Sequence, residues 1–228
     1  MKQRTFFIGS IPAVLYGEDA PAVWLFIHGQ GGYKEEGEGF ARLACPKGQQ
    51  VLAVDLPGHG QRPASEPLVP WTVVPEIAQV AGWAWERWEN RSLRATSIGA
   101  YFSLLAIPAP QKALFVSPVV DMERLIRDMM GWAGVTEEQL QRLGEIPTEF
   151  GQTLSWRYLC YAREHPVPRW ECPIHILYAG QDELTSRRTV ERFAAERDAQ
   201  ITIFEEGEHW FHTPEQLEWL RRWEEACL

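Results

Sequence analysis

The chain has 228 residues, 45% of them hydrophobic and 23% charged, which is typical of a globular protein of one or two domains. Its net charge of -9 argues against a nucleic-acid partner, because phosphate binding needs clustered Lys and Arg. No apolar stretch approaches the length of a membrane span, and residues 1–16 hold too short an apolar run for a signal peptide. The four cysteines are widely separated, which predicts free thiols, no metal site and a cytoplasmic location.

Short apolar runs alternate with amphipathic stretches along most of the chain, a pattern typical of βαβ units. We predict a single α/β domain over residues 1–228, with a mostly parallel sheet and helices on both of its faces. The first two strands are expected to form an antiparallel pair. The predicted strands are residues 5–8, 13–16, 23–27, 51–54, 92–96, 112–116, 174–178 and 201–204.

Residues 121–165 interrupt this alternation, because they contain no convincing strand. Three short helices are predicted there, the second capped by Thr136 and Gln139 and the third ending before Pro166. We interpret the segment as a helical cap inserted between two strands. The last helix of the chain is predicted to begin with a capping box at Thr213 and Gln216.

A serine lies between a short strand and an apolar helix in Ala95-Thr96-Ser97-Ile98-Gly99. This motif resembles the G-x-S-x-G nucleophile elbow of α/β-hydrolases, in which a sharp turn projects the serine above the sheet. The positions two before and two after the serine must be small. Gly99 meets this requirement, and Ala95 departs from the usual glycine by one methyl group, so we expect the turn to form.

Two further loops also resemble hallmarks of the α/β-hydrolases. The run His28-Gly29-Gln30-Gly31-Gly32 is similar to the family's oxyanion turn, and the run from Asp55 to Gly60 is similar to its D-x-P-G-x-G turn. The resemblance implies that the backbone N–H groups of Gln30 and Ile98 form the oxyanion hole. His28, Asp55 and His59 are assigned to loop structure.

The acid and the base are expected after later strands, in the order serine, acid, histidine. The loop after residues 174–178 resembles the family's acid loop and selects Asp182, with Glu183 as a less favoured alternative. The loop after residues 201–204 contains a Gly-x-His pattern that selects His209, with His212 as the alternative. The α/β-hydrolase resemblance therefore implies a Ser97–His209–Asp182 triad.

The resemblance implies a serine hydrolase with a small helical cap and no metal or other cofactor. A carboxylesterase acting on small or medium acyl or aryl esters is the leading prediction. The alternatives are an amidase, a thioesterase or a C–C hydrolase on the same triad, and a ligand-binding receptor with slow turnover. The expected partner is a small-molecule ester, with no nucleic acid or membrane, and no oligomeric state is indicated. The residues expected to contact substrate are Tyr33, Met129, Trp132, Trp156 and Trp210.

Overall fold

The computed structural model describes residues 1–108 and 110–228. In that part of the chain the strands are β1 (Gln3–Ile8), β2 (Ile11–Tyr16), β3 (Ala22–Ile27), β4 (Gln49–Val54), β5 (Asn90–Thr96), β6 (Lys112–Val116), β7 (Glu145–Pro147), β8 (Thr153–Ser155), β9 (Ile174–Ala179) and β10 (Gln200–Phe204). The helices are α1 (Gly37–Ala44), α2 (Pro70–Trp85), α3 (Ile98–Ala106), α4 (Met122–Trp132), α5 (Glu137–Leu143), α6 (Trp156–Glu164), α7 (Arg187–Arg197) and α8 (Pro214–Cys227). Among the described residues, no helix combines the length and apolar character that a membrane crossing requires.

Eight of the strands form one sheet in the order β1-β2-β4-β3-β5-β6-β9-β10. The β1–β2 and β2–β4 pairs are antiparallel, and the pairs from β4 onward are parallel. The eight predicted strands are therefore confirmed, as is the leading antiparallel pair. In the parallel part, β3, β5, β9 and β10 all end at the same edge of the sheet, so the loops that follow them converge there.

Both faces of the sheet are covered, which explains the continuous apolar character of its central strands. In β3, Val23 and Leu25 pack into the core on the side of α2, α3 and α7, whereas Trp24 and Phe26 pack into the core beneath α1 and α8. Successive side chains of a strand point to opposite faces, so a strand covered on both sides needs apolar residues at every position.

The segment between β6 and β9 carries α4, α5 and α6, as predicted for residues 121–165. The prediction that this segment contains no strand was wrong, because β7 and β8 form a small antiparallel hairpin. Strands of three residues are too short to show the alternation of apolar and polar residues by which a strand is recognised.

The two predicted capping boxes differ in the structure. Thr136 and Gln139 form the complete reciprocal pair at the start of α5. At the start of α8, Thr213 accepts a hydrogen bond from the Gln216 N–H, but the Gln216 side chain accepts from the His212 N–H instead of from Thr213. The predicted box at α8 is therefore only half correct, although the helix begins where the sequence indicated.

Candidate active site

Ser97 lies at the sharp turn between β5 and α3. Its backbone has φ 50° and ψ -124°, a conformation that non-glycine residues rarely adopt. The turn is held from both sides, since the Ser97 N–H donates to the Val116 carbonyl and the Val119 N–H donates to the Ser97 carbonyl, each at 3.0 Å. A strained serine that the surrounding structure holds in place is typical of a functional site.

Small residues allow the backbones at this turn to approach closely. A Cβ atom on Gly99 would lie 2.3 Å from the His28 carbonyl oxygen, so no side chain fits there. Ala95 is fully buried in β5 between Ile27 and Phe115, and the turn forms with its methyl group present. The small residues at these positions therefore bring the loop after β3 against the serine.

The loop after β3 forms a tight turn beside Ser97. The Gly32 N–H donates to the Gly29 carbonyl at 3.2 Å, and Gly31 has φ 79°, as the third residue of a type II turn does. A Cβ atom on Gly29 would lie 3.2 Å from the Ser97 Cβ. Gly29, the first residue of this turn, therefore lies directly beside the serine, and Gln30 is the next residue.

Ser97, His209 and Asp182 form one hydrogen-bonded chain. The Ser97 Oγ lies 2.8 Å from His209 Nε2, and His209 Nδ1 lies 2.7 Å from Asp182 Oδ2. The Asp182 side chain is fully buried, whereas that of His209 is 18% exposed. A carboxylate only accepts hydrogen bonds, so Nδ1 carries the proton and the lone pair on Nε2 faces the serine hydroxyl.

The loops that carry the acid and the histidine are joined to each other. The Gln181 N–H donates to the Gly207 carbonyl and the Gly180 N–H to the Phe204 carbonyl, each at 2.8 Å. A Cβ atom on Gly180 would lie 2.5 Å from the backbone of Glu205, so only glycine permits this approach. The relative positions of Asp182 and His209 are therefore set by the backbone.

The two alternatives left open by the sequence lie outside this chain of hydrogen bonds. Glu183 is exposed, next to the buried Asp182. His212 is also exposed, and its Nδ1 lies 2.7 Å from the Trp210 carbonyl. The geometry thus favours Asp182 over Glu183 and His209 over His212.

His28 and Asp55 are buried beneath the site and make structural contacts. His28 Nδ1 donates to the Gly29 carbonyl at 2.7 Å, and Nε2 accepts from the Leu56 N–H at 3.1 Å. Burial lowers the pKa of His28 to about 4, so the ring is neutral near pH 7. Asp55 accepts from the backbone N–H and the side-chain Nζ of Lys34, each at 2.8 Å.

The buried Lys34 was not found from the sequence. Its side chain is only 1% exposed and forms an ion pair with the fully buried Asp55. Burial acts to lower the pKa of Lys34, but its hydrogen bonds to Asp55 and Glu35 outweigh this effect and raise it. A lysine is rarely buried, and the sequence contained no signal that this one would be.

The five residues predicted to contact substrate lie at varied depths. Met129 and Trp156 are half-buried and pack against the larger of the two core clusters. Trp132 is 51% exposed and makes an edge contact with Phe150, and Tyr33 is 48% exposed. Trp210 is 74% exposed and stacks on His212. Their contact with substrate stays a prediction.

No cluster of three or more His, Cys, Asp or Glu side chains suited to a metal ion occurs within residues 1–108 and 110–228. The side chains that meet at the site are instead a hydroxyl, an imidazole and a carboxylate. Together they can transfer a proton from an attacking oxygen.

Several solved structures are similar to this chain over nearly its whole length. Est1E from Butyrivibrio proteoclasticus, in a structure with ferulic acid bound, matches with a TM-score of 0.77 at 18% identity, covering 98% of this chain and 97% of that one. Alpha/beta hydrolase domain-containing protein 10 from mouse matches with a TM-score of 0.72 at 14% identity, covering 100% and 98%. A thioesterase domain from the curacin biosynthetic pathway matches with a TM-score of 0.59 at 16% identity, covering 98% and 99%.

No protein-family model matches the sequence, and no curated protein does. At these identities the likeness to solved structures concerns the fold, which hosts many different activities. The chain has the α/β-hydrolase fold, as its motifs predicted.

Proposed function

We propose that this protein is a serine hydrolase that cleaves small or medium acyl or aryl esters, with Ser97 as nucleophile, His209 as base and Asp182 as acid. The observation that carries this proposal is the pair of short distances, 2.8 Å from Ser97 to His209 and 2.7 Å from His209 to Asp182. These contacts join three loops at the carboxyl edge of the sheet. The residues in this arrangement have the roles of an acyl-transfer triad.

The first half of the reaction forms an acyl-enzyme. Ser97 Oγ attacks the ester carbonyl carbon as its proton moves to His209 Nε2, and Asp182 stabilises the resulting imidazolium. The carbonyl oxygen becomes an oxyanion, for which the N–H groups of Gln30 and Ile98 are the proposed donors. As the tetrahedral intermediate collapses, His209 returns the proton to the departing alcohol.

The second half repeats these steps with water. His209 removes a proton from water, the resulting hydroxide adds to the acyl carbon, and the same donors hold the second oxyanion. Collapse breaks the bond to Ser97 Oγ, which regains its proton from His209 and releases the carboxylic acid. Ile98 suits the donor role because it is the first residue of α3, where a backbone N–H has no acceptor within the helix.

Esters are preferred among the possible acyl substrates, but the triad alone also serves amides, thioesters and C–C bonds. The structural neighbours include Est1E with ferulic acid bound and a thioesterase domain, which supports acyl transfer as the common chemistry. The receptor alternative predicts Ser97 labelling without steady turnover. Activity against matched p-nitrophenyl ester, anilide and thioester substrates distinguishes an esterase from an amidase and from a thioesterase.

The proposal is tested by labelling and turnover together. A fluorophosphonate probe should modify Ser97, as read by mass spectrometry of the peptide. Ser97→Ala should abolish labelling and lower kcat for p-nitrophenyl acetate by roughly 10⁴- to 10⁶-fold without unfolding the protein. Ser103→Ala is a matched control, because Ser103 is a buried serine of α3 whose hydroxyl has no partner among the described residues.

The choice of base is tested in the same assay. His209→Ala should lower kcat on the scale of the serine variant, whereas His212→Ala should retain activity. Retained turnover in Ser97→Ala would overturn the proposal. Loss of turnover in His212→Ala but not in His209→Ala would overturn the assignment of the base.

A further inference from the structure

The loop after β3 and the turn after β4 are joined by two histidines in a reciprocal arrangement. His28, in the first loop, accepts a hydrogen bond from the Leu56 N–H in the second at 3.1 Å. His59, in the second loop, accepts one from the Gly31 N–H in the first at 2.9 Å. The two rings lie 5.3 Å apart. Each histidine therefore holds the backbone of the other's loop.

Both rings must carry their proton on Nδ1 for this arrangement to form. His59 Nδ1 lies 2.7 Å from the Pro57 carbonyl, and His28 Nδ1 lies 2.7 Å from the Gly29 carbonyl. A carbonyl oxygen only accepts, so Nδ1 carries the proton in each ring and Nε2 is free to accept a backbone N–H. His59 is thereby fixed in its own turn and presents a lone pair to Gly31.

The hydrogen bond from Gly31 acts on the peptide unit next to the proposed oxyanion donor. Gln30 and Gly31 are the two central residues of the tight turn closed by the Gly32 N–H and the Gly29 carbonyl. The Gln30 N–H belongs to the preceding peptide and keeps its direction in type I and type II turns alike, so its position depends on where the whole turn is held. The hydrogen bond from Gly31 to His59 ties the turn that carries Gln30 to the turn after β4, and so restricts the movement of Gln30 relative to Ser97.

We propose that His59 is a positioning residue for the oxyanion hole, acting through Gly31 to hold the Gln30 N–H toward the carbonyl attacked by Ser97. This inference rests on the proposed function. Gln30 and Gly31 are exposed and Gly31 has no side chain to pack, so the turn relies on hydrogen bonds for its shape. His28 is fully buried and also supports the fold, whereas the half-buried His59 can be replaced with less disturbance.

Three substitutions at His59 separate its two hydrogen bonds. His59→Gln can place Oε1 near the position of Nε2 and so keep an acceptor for Gly31. His59→Asn can keep a donor toward the Pro57 carbonyl but does not reach Gly31, and His59→Ala removes both. His165→Asn is a matched control, since His165 is exposed and its Nδ1 also lies 2.9 Å from a backbone carbonyl, that of Tyr161.

The expected result is a fall in kcat with little change in KM. For p-nitrophenyl acetate, His59→Ala and His59→Asn should lower kcat by roughly 10- to 100-fold, the scale of a small misplacement at a reacting centre. His59→Gln should retain most of the activity, and His165→Asn all of it. Phenylboronic acid forms a tetrahedral adduct with a catalytic serine, so its Ki should rise in proportion to the loss of kcat/KM.

Hydrogen exchange tests the same inference without reference to turnover. The amide of Gly31 should exchange faster in His59→Asn and His59→Ala than in the wild-type protein, and at nearly the wild-type rate in His59→Gln. Unchanged exchange would overturn the hydrogen bond as a restraint. Faster exchange with unchanged kcat and Ki would overturn the positioning role. If the wild-type protein shows neither labelling of Ser97 nor turnover, the proposed function is overturned. Labelling and turnover of the wild-type protein are therefore measured first, before the His59 variants.

Discussion

The carboxylate of Asp182 divides its two oxygens between His209 and the backbone. Oδ2 lies 2.7 Å from His209 Nδ1, and Oδ1 accepts from the N–H groups of Leu184 and Thr185 at 2.8 and 2.9 Å. The two backbone donors fix the plane of the carboxyl group. Asp182 is therefore oriented by its own loop before it orients the histidine.

This division predicts how an amide would behave in place of the acid. In Asp182→Asn the two backbone N–H groups require the amide oxygen, so the NH₂ group must face His209 Nδ1. That nitrogen would then have to accept, which moves the ring proton to Nε2 and removes the base for Ser97. We expect kcat to fall by roughly 10⁴-fold with the fold intact. The exposed neighbour Glu183 supplies the control, and Glu183→Gln should retain wild-type kcat.

The buried Lys34–Asp55 pair should be important for stability. Both side chains are almost fully buried, so removal of one partner leaves a charge without compensation. Lys34→Met should lower the free energy of unfolding by about 3–5 kcal/mol in urea titrations. Lys2→Met, which breaks the exposed Lys2–Glu18 pair, should change it by less than about 1 kcal/mol.

A double-mutant cycle separates the ion pair from the packing of its side chains. Lys34→Met combined with Asp55→Asn should cost less than the sum of the two single substitutions, because the double variant leaves no unpaired charge. Strictly additive losses would mean that the ion pair itself contributes little to the coupling.

The fold could be predicted because its strands are covered on both sides. The central strands need apolar residues at every position, and this continuous run is visible in β3, β4 and β9. Ser97, Asp182 and His209 each follow a predicted strand, and each lies two residues from a glycine that a close backbone approach requires, so short motifs pointed to them. The hairpin of β7 and β8 was missed because its strands are too short to show a pattern.

The contacts between loops could not be predicted. His59 and Gly31 are far apart in sequence, and their hydrogen bond depends on how two turns meet above the sheet. Lys34 is buried only because Asp55 lies beneath it, which is a property of the assembled loops. Side chains that act through tertiary contacts carry no periodicity or spacing that a single sequence can reveal.

The lowered pKa of the buried His28 ring predicts that the protein loses stability in acid. Its pKa in the folded protein is about 4, lowered from the ordinary value of 6.5 mainly by burial, so the unfolded chain binds the proton first. The neutral ring supports the fold fully above pH 6.5, and this contribution is lost as the pH falls from 6.5 toward 4. The loss should approach about 3 kcal/mol, since one pKa unit corresponds to about 1.4 kcal/mol.

The contribution of His28 is measured as a difference between two pH profiles. The free energy of unfolding of His28→Gln should vary less between pH 6.5 and 4.5 than that of the wild-type protein, whatever its absolute value. An NMR titration of the wild-type ring should show His28 neutral down to nearly pH 4. A ring that titrates near pH 6.5 would contradict the prediction.

One arginine joins α4, α5 and α6, the three helices of the predicted cap. Arg163 in α6 makes two hydrogen bonds to Glu137 in α5, at 2.9 and 2.7 Å, and one to Glu123 in α4 at 3.0 Å. The α6 helix also contacts the main domain, where Trp71 of α2 meets the rings of Tyr158 and Tyr161. We expect these contacts to hold the cap in a fixed position, so that it bounds the space available to an acyl chain.

A bounded site predicts a preference for short acyl groups. Across p-nitrophenyl esters from acetate to laurate, kcat/KM should peak at the short chains and fall by roughly tenfold or more once the chain outgrows the site, because added methylenes then have no room. Arg163→Met removes the ion pairs that join α6 to α4 and α5, so the decline toward long chains should become shallower. Arg124→Met is the matched control, since the exposed Arg124 pairs with Asp128 inside α4 alone and its loss should leave the profile unchanged. A maximum at laurate in the wild-type protein, or the same profile in Arg163→Met as in the wild type, would show that the cap does not set the acyl length.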